Sequence, residues 1–119
     1  MGGNGGNAKT VLVVDDERSL RLLCRINLEL DGHRVFEAAT LAEARAQIER
    51  ETPDVILLDV HLGNDDGLDL LDEVEAQDLP TRVVLLSGTS EIGPELRARV
   101  SGVIGKPFDL KRLAAAVSA

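Results

Sequence analysis

The residues most able to do chemistry in this sequence each follow a short apolar run. Asp15 and Asp16 follow the first run, Asp59 the third, Ser87 the fourth and Lys106 the fifth. Taken singly, each is an ordinary loop residue. If folding brings the three carboxylates within a few ångströms, they repel by about 4 kcal/mol per close pair at an effective dielectric of about 20. A divalent cation such as Mg²⁺, which prefers oxygen ligands, would offset that repulsion, and the lysine could meet a phosphoryl group there.

The apolar runs alternate with segments of helical period, which predicts strands and helices in turn. Strands are expected at 10–14, 34–38, 55–58, 82–86 and 103–104, and helices at 17–31, 41–51, 68–78, 95–100 and 110–117. This alternation favours βαβ units around a parallel sheet. Because ligands of such sheets bind at the carboxyl ends of the strands, the five residues should meet at one edge.

Local signals set several helix ends. Thr40 with Glu43 forms a capping-box pattern at the start of the second helix. Gly32 is placed to end the first helix in a left-handed turn. Asp109 can cap the last helix.

The first helix carries more leucine than one buried stripe requires. The stripe that we expect to face the core consists of Leu20, Leu23, Asn27 and Leu30. The surplus formed by Leu20, Leu22 and Leu23 indicates a partner surface near this helix, although contact with an adjacent helix would explain it equally well. Cys24 is interpreted as a small core residue, and His33, with no partner in view, is expected at the surface.

Four ordered motifs together resemble the receiver domain of bacterial two-component response regulators. The motifs are Val13-Val14-Asp15-Asp16-Glu17, Leu57-Leu58-Asp59 with Asp66-Gly67 downstream, Leu85-Leu86-Ser87-Gly88, and Lys106-Pro107-Phe108. The ordered set is far more specific than any one piece. The resemblance implies a single α/β domain over residues 9–119. Its (βα)5 fold would be a flavodoxin-like, doubly wound parallel sheet of five strands in the order 2-1-3-4-5. Residues 1–8, rich in Gly and Asn, are expected to form a flexible tail.

The resemblance also implies a magnesium site. Asp16 and Asp59 would bind Mg²⁺ directly and Asp15 through water. The main-chain carbonyl of His61 would complete the protein ligands. The imidazole of His61 is more simply a solvent-facing loop side chain.

Asp59 would be the phosphoacceptor, phosphorylated by a sensor histidine kinase or a histidine phosphotransfer protein. Lys106 would pair with the phosphoryl oxygens and Ser87 would hydrogen-bond them, with a cis peptide before Pro107 aiming the lysine inward. An ionised aspartate needs no base to act as nucleophile, so the protein mostly positions groups and neutralises charge. The implied role is a signalling switch or phosphate shuttle that is not an enzyme and shows at most slow self-dephosphorylation.

Two features depart from the family pattern. Val103 stands where the family usually places an aromatic residue, so the usual readout by ring rotation is in question. The interval from Ser87 to Lys106 is a few residues short, which predicts a stunted or mobile fourth helix.

Composition narrows the function further. The 119 residues suffice for one domain, and a net charge of −8 disfavours nucleic acid and anionic membranes as partners. Two Phe, no Tyr and no Trp make stacking on bases improbable. The lone Cys24 and the absence of a long apolar stretch favour a cytoplasmic protein.

Two alternatives stay open at this point. One is a Mg²⁺-dependent phosphohydrolase with an aspartyl-phosphate intermediate, which would carry its nucleophile at the end of the first strand. The other is a receiver-like docking module, which predicts loss of one or more site residues. The cognate kinase and the downstream target are not encoded in these patterns.

Overall fold

The computed structural model describes residues 8–88 and 92–118. The strands are β1 (Thr10–Val14), β2 (Arg34–Ala38), β3 (Val55–Asp59), β4 (His61–Leu62), β5 (Asp65–Asp66), β6 (Arg82–Ser87) and β7 (Gly102–Gly105). The helices are α1 (Arg18–Leu30), α2 (Leu41–Glu51), α3 (Leu68–Ala76), α4 (Pro94–Arg97) and α5 (Leu110–Ser118). Apart from Ala8, the tail expected at 1–8 lies outside the described residues. Among the described helices, none combines the length and apolar character needed to cross a bilayer.

Five parallel strands form the main sheet in the order β2-β1-β3-β6-β7. With β6 and β7 counted as the fourth and fifth strands, this is the predicted order 2-1-3-4-5, so the predicted flavodoxin-like fold is confirmed. The sequence pattern did not predict β4 and β5, which pair antiparallel in a small hairpin directly after β3.

The sheet is covered on both faces, which explains why its central strands are apolar throughout. Successive residues of β1 point to opposite sides: Leu12 and Val14 join one core cluster, and Val11 and Val13 join the other. The first cluster is closed by buried residues of α2 and α3, and the second by those of α1 and α5. Because both faces of the sheet are apolar, polar residues are found at the strand ends, where they can meet at one edge.

The buried face of α1 differs from the predicted one. Cys24 and Leu28 are its fully buried residues, and Arg21, one turn before Cys24, is also largely covered. The predicted stripe is wrong: Leu23 and Leu30 are exposed, and Leu20 and Asn27 are only partly buried. The helix is rotated by about one residue because it packs on β2 and α5 through the Cys24 side.

The predicted helix ends are confirmed. The Thr40 hydroxyl accepts the Glu43 N–H (3.1 Å), and the Glu43 carboxylate accepts the N–H of Ala39 (2.8 Å). Gly32 follows α1 with φ at 93°. The Asp109 carboxylate accepts the N–H of Lys111 at the start of α5 (2.6 Å). These local bonds satisfy orphan backbone donors or turn the chain at the helix ends.

His33 lies in the core periphery and not at the surface, so that expectation is wrong. Its residue exposure is 6%, and its Nδ1 accepts the main-chain N–H of Lys9 at 3.0 Å. Lys9 in turn accepts the N–H of Arg34 through its carbonyl (2.9 Å). The imidazole therefore joins the start of β1 to the turn before β2, a pairing of distant segments that no local pattern signals.

The fourth helix is short, as predicted. α4 has four residues, and Pro94 occupies its first turn. The chain continues in turns to β7, where Val103 is partly buried and packs against the cluster on the α2 and α3 side.

Candidate functional site

Three carboxylates meet at the carboxyl ends of β1 and β3. One ligand oxygen each from Asp15, Asp16 and Asp59 lies within 4.8 Å of the other two. Asp15 and Asp59 are buried, whereas Asp16 is exposed. The crevice thus has an acidic floor and one acid at its solvent side.

Lys106 reaches two of these acids from the end of β7. Its ammonium lies 2.7 Å from Oδ2 of Asp15 and 3.3 Å from Oδ2 of Asp59. Its main-chain N–H donates to the carbonyl of Ser87 (2.7 Å), and the predicted cis peptide to Pro107 is present. One ammonium therefore faces three carboxylates, and the site keeps a surplus of negative charge.

The protonation behaviour of the site reflects burial first and this surplus second. Burial raises the pKa of Asp59, and the charge of Asp15 adds to that effect against the opposing His61 N–H and Lys106. Burial alone would lower the pKa of Lys106, but its hydrogen bond to Asp15 and the two acidic charges raise that pKa. Additional positive charge in the crevice would favour the ionised form of Asp59.

Asp15 is held on several sides. Its Oδ1 accepts the main-chain N–H of Glu17 (2.9 Å), and its Oδ2 accepts a hydrogen bond from the ammonium of Lys106. Its main-chain N–H donates to the carbonyl of Ala38 (3.1 Å), and its own carbonyl accepts from the guanidinium of Arg21 (2.7 Å). The sequence analysis did not identify Arg21. Its one sequence signal is its position three residues before Cys24, on the same face of the helix.

The hairpin β4–β5 lies against the end of β3 that carries Asp59. The main-chain N–H of His61 donates to Oδ1 of Asp59 (3.1 Å), which places the His61 peptide beside the carboxylate while its imidazole is exposed. Gly67 donates its N–H to the carbonyl of Val60 (2.9 Å). A Cβ at Gly67 would collide with the main-chain carbonyl of Asp59, so only glycine fits this approach.

Ser87 is the last residue of β6 and is buried. Its strand neighbour β7 places it level with Gly105, one residue before Lys106. All five side chains singled out from the sequence therefore belong to strand ends at one edge of the sheet, although 89–91, which follow this strand, lie outside the described residues.

The residues present suit a hard divalent cation. The donors are carboxylate oxygens at close spacing, and the crevice is open on the side of Asp16. Mg²⁺ usually takes one or two carboxylates and completes its coordination with waters and phosphoryl oxygens. The three acids could supply the carboxylates, and the open side would admit the other ligands. The chemistry of the donor set thus fits a cation that serves phosphoryl transfer.

The family model for the response regulator receiver domain matches residues 11–118. The chain belongs to this family. This receiver domain is 36% identical over 116 residues to the alkaline phosphatase synthesis transcriptional regulatory protein PhoP of Bacillus subtilis, covering 93% of this chain and 48% of that protein. It thus spans about half of that relative's length.

Two further proteins resemble it over most of their length. The sporulation initiation phosphotransferase F of Bacillus subtilis is 28% identical over 110 residues, which is 90% of this chain and 89% of that protein. A response regulator protein from Burkholderia pseudomallei, solved with a phosphorylated aspartic acid, calcium ion and citrate, has a TM-score of 0.80 and 26% identity. That match covers 92% of this chain and 66% of the other. The receiver domain is therefore a two-component signalling module in fold and family.

Proposed function

We propose that Asp59 of this receiver domain accepts a phosphoryl group from a phosphohistidine on a sensor histidine kinase or phosphotransfer protein. The observation that carries the proposal is the placement of Asp59 at the buried end of the central strand β3, within 4.8 Å of two further acids and 3.3 Å from Lys106. The crystallised Burkholderia relative, which holds a phosphorylated aspartic acid and a calcium ion, supports it.

In this reaction an oxygen of the Asp59 carboxylate attacks the phosphorus. A P–O bond forms, the P–N bond to the imidazole breaks, and the departing imidazole takes a proton from solvent. The His61 N–H already holds Oδ1 (3.1 Å), so Oδ2, beside Lys106, is the oxygen left to attack. The carboxylate is thereby oriented before the donor arrives, which lowers the entropic part of the barrier.

Asp15, Asp16, Asp59 and the His61 carbonyl would hold Mg²⁺. The bound ion would neutralise charge on the transferring phosphoryl group. Lys106 would move from its contact with Asp59 to the new phosphoryl oxygens, a short shift because it stays paired with Asp15 at 2.7 Å. The Ser87 hydroxyl would hydrogen-bond another of these oxygens.

The partner would dock on α1. All four large hydrophobic side chains described as exposed lie there: Leu22, Leu23, Ile26 and Leu30. A cleft of about 380 Å³ lined by Leu20, Leu23 and Phe108 continues from this face to Lys106. A helical partner covering this face would bring its phosphohistidine toward the acidic crevice. We also propose a cytoplasmic location, where such a partner would present its phosphohistidine.

Phosphorylation from acetyl phosphate with Mg²⁺ tests the chemistry without a partner. We expect one labelled site in the wild-type chain and loss of label in Asp59→Asn. Asp72→Asn, at an exposed carboxylate on α3, is the matched control and should label normally. Unchanged labelling of Asp59→Asn would remove Asp59 from its role.

Partner-dependent labelling tests the docking face. Ile26→Gln should slow phosphoryl transfer from a cognate kinase while labelling by acetyl phosphate stays at the wild-type rate, because only the first reaction needs α1. Equal kinase rates for Ile26→Gln and wild type would exclude this face.

Neither alternative is favoured by the structure. The hydrolase would need its nucleophile after β1. Asp15 there is 0% exposed with both carboxylate oxygens engaged, and Asp16 is exposed and forms no ion pair with Lys106 among the described residues. The docking module would have lost site residues, whereas all five are present.

A further inference from the structure

Arg21 is a largely covered arginine next to the acidic crevice, and the phosphoryl-transfer scheme above does not use it. Its side chain is 14% exposed, and its guanidinium donates to the main-chain carbonyl of Asp15 at 2.7 Å. A hydrogen bond from a charged donor is shorter and stronger than a neutral one. The bond therefore restrains the peptide that joins Asp15 to Asp16.

That peptide determines where the Asp16 carboxylate points. Asp16 is exposed and lies at the solvent side of the three acids, where the side chain itself has freedom to move. Its neighbour Asp15 is restrained at the main-chain N–H by Ala38 (3.1 Å) and at the carbonyl by Arg21. With both sides of Asp15 held, Asp16 starts from a defined direction.

Arg21 is itself held by β2. Its Nε lies 3.1 Å from Oε1 of Glu37. The other carboxylate oxygen, Oε2, accepts a hydrogen bond from the guanidinium of Arg25 at 3.2 Å. Glu37 immediately precedes Ala38, whose carbonyl accepts from Asp15. Strand β2 thus holds the end of β1 twice, once directly and once through the arginine.

We infer that Arg21 is a positioning residue for the cation site, fixing the Asp15–Asp16 peptide so that Asp16 is oriented for a divalent ion before the ion binds. A ligand that is already oriented loses less conformational entropy on binding. Removal of a group that orients the metal ligands without contacting the metal itself typically weakens metal binding tenfold or more.

The sign of the effect separates positioning from simple charge. A positive charge beside the crevice repels Mg²⁺, so charge alone predicts that Arg21→Gln binds the ion more tightly. Positioning predicts weaker binding. Arg25→Gln is the matched control, because Arg25 shares Glu37, is 46% exposed at its side chain and bonds only to Glu29 and Glu37 among the described groups.

The test is the dissociation constant for Mg²⁺, measured by calorimetry on the folded variants at one ionic strength. We expect Arg21→Gln to raise it about tenfold and Arg25→Gln to leave it near the wild-type value. In the metal-free protein, the Asp15 amide, which donates to the carbonyl of Ala38 (3.1 Å), should exchange its hydrogen faster in Arg21→Gln than in Arg25→Gln. An unchanged or lower dissociation constant for Arg21→Gln would overturn the inference.

Glu37→Asp covers the case in which Arg21→Gln does not fold. It keeps the negative charge but draws the carboxylate back from Arg21, so the guanidinium is held less firmly and the dissociation constant should rise, by less than in Arg21→Gln. If Arg21→Gln is unfolded, an unchanged value for Glu37→Asp overturns the inference instead.

The inference rests on the proposed function, and the outcomes keep the two apart. A wild-type chain that binds Mg²⁺ and is labelled at Asp59, with unaltered affinity in Arg21→Gln, overturns the positioning role alone. A wild-type chain that binds Mg²⁺ but is not labelled overturns the phosphoacceptor role alone. A wild-type chain that binds no Mg²⁺ overturns both.

Discussion

Two of the places where a pair of carboxylates meets one cation in this receiver domain differ in burial: the carboxyl edge of the sheet and the outer face of α3. At the edge, Lys106 faces the buried Asp15 and Asp59. On α3, Arg99 meets Asp72 at 2.5 Å and Glu75 at 2.6 Å. The contact distances are similar, yet every side chain in the second group is more than a third exposed.

The difference shows how burial changes the same chemistry. Water and salt screen the α3 group, so its ion pairs contribute little to stability even though Arg99 lowers the pKa of Glu75 through a hydrogen bond. At the edge, burial outweighs the pairing and raises the pKa of Asp59. On the surface, a short ion-pair distance describes local geometry and no more. A buried cluster with more negative than positive charge indicates a binding site.

The largest expected effect comes from removing each cation in turn. Lys106→Gln should lower the free energy of unfolding by about 3 kcal/mol without Mg²⁺, because it leaves two buried carboxylates unpaired. Arg99→Gln should leave it almost unchanged. Urea unfolding in the presence of a chelator measures both. Equal losses in the two variants would erase the distinction between the regions.

A second experiment adds a cation to the edge. Mg²⁺ at a hundredfold excess over its dissociation constant should raise the free energy of unfolding by about 2.7 kcal/mol, because it binds only the folded chain. Asp16→Asn should remove most of this gain, whereas Asp72→Asn, at the α3 group, should keep it. Thermal melts at matched ionic strength provide the measurement. A gain that survives Asp16→Asn would place the ion elsewhere.

The smallest expected effect of the site's charge is on the thiol of Cys24, on the buried face of α1. Burial first, and the charge of Asp15 second, raise the pKa of its thiol to about 12. A raised thiol pKa keeps the group protonated from neutral to moderately alkaline pH. The native chain should therefore react with a thiol reagent far more slowly than the urea-unfolded chain. Similar rates in the two states would show that the site's field and burial do not reach Cys24.

The strand ends were predictable because apolar runs stop abruptly at charged or polar residues. Asp59 and Lys106 lie 47 positions apart in the numbering, yet each could be assigned to the same edge from the parallel βαβ order alone. The cap at Thr40 was readable because it depends on a few consecutive residues. The short fourth helix was predicted from the interval between Ser87 and Lys106, which is a few residues short against the family pattern.

Polar residues inside the fold were not predictable in this way. His33 and Arg21 are covered because each finds a partner on another element: the main chain of Lys9 for the histidine, Glu37 and the Asp15 carbonyl for the arginine. A polar side chain can be buried when such a partner is present, and the partner is known only after the elements pack.

The sequence by itself determined the order of the elements, the edge at which the five site residues end, and the excess of acid there, because strand and helix periods and chain order are local properties. Tertiary packing decided which stripe of α1 faces the sheet, how the hairpin after Asp59 presents the His61 peptide, and that Arg21 holds the Asp15 carbonyl. Those features depend on distances between segments remote in sequence, and only the assembled layers set such distances.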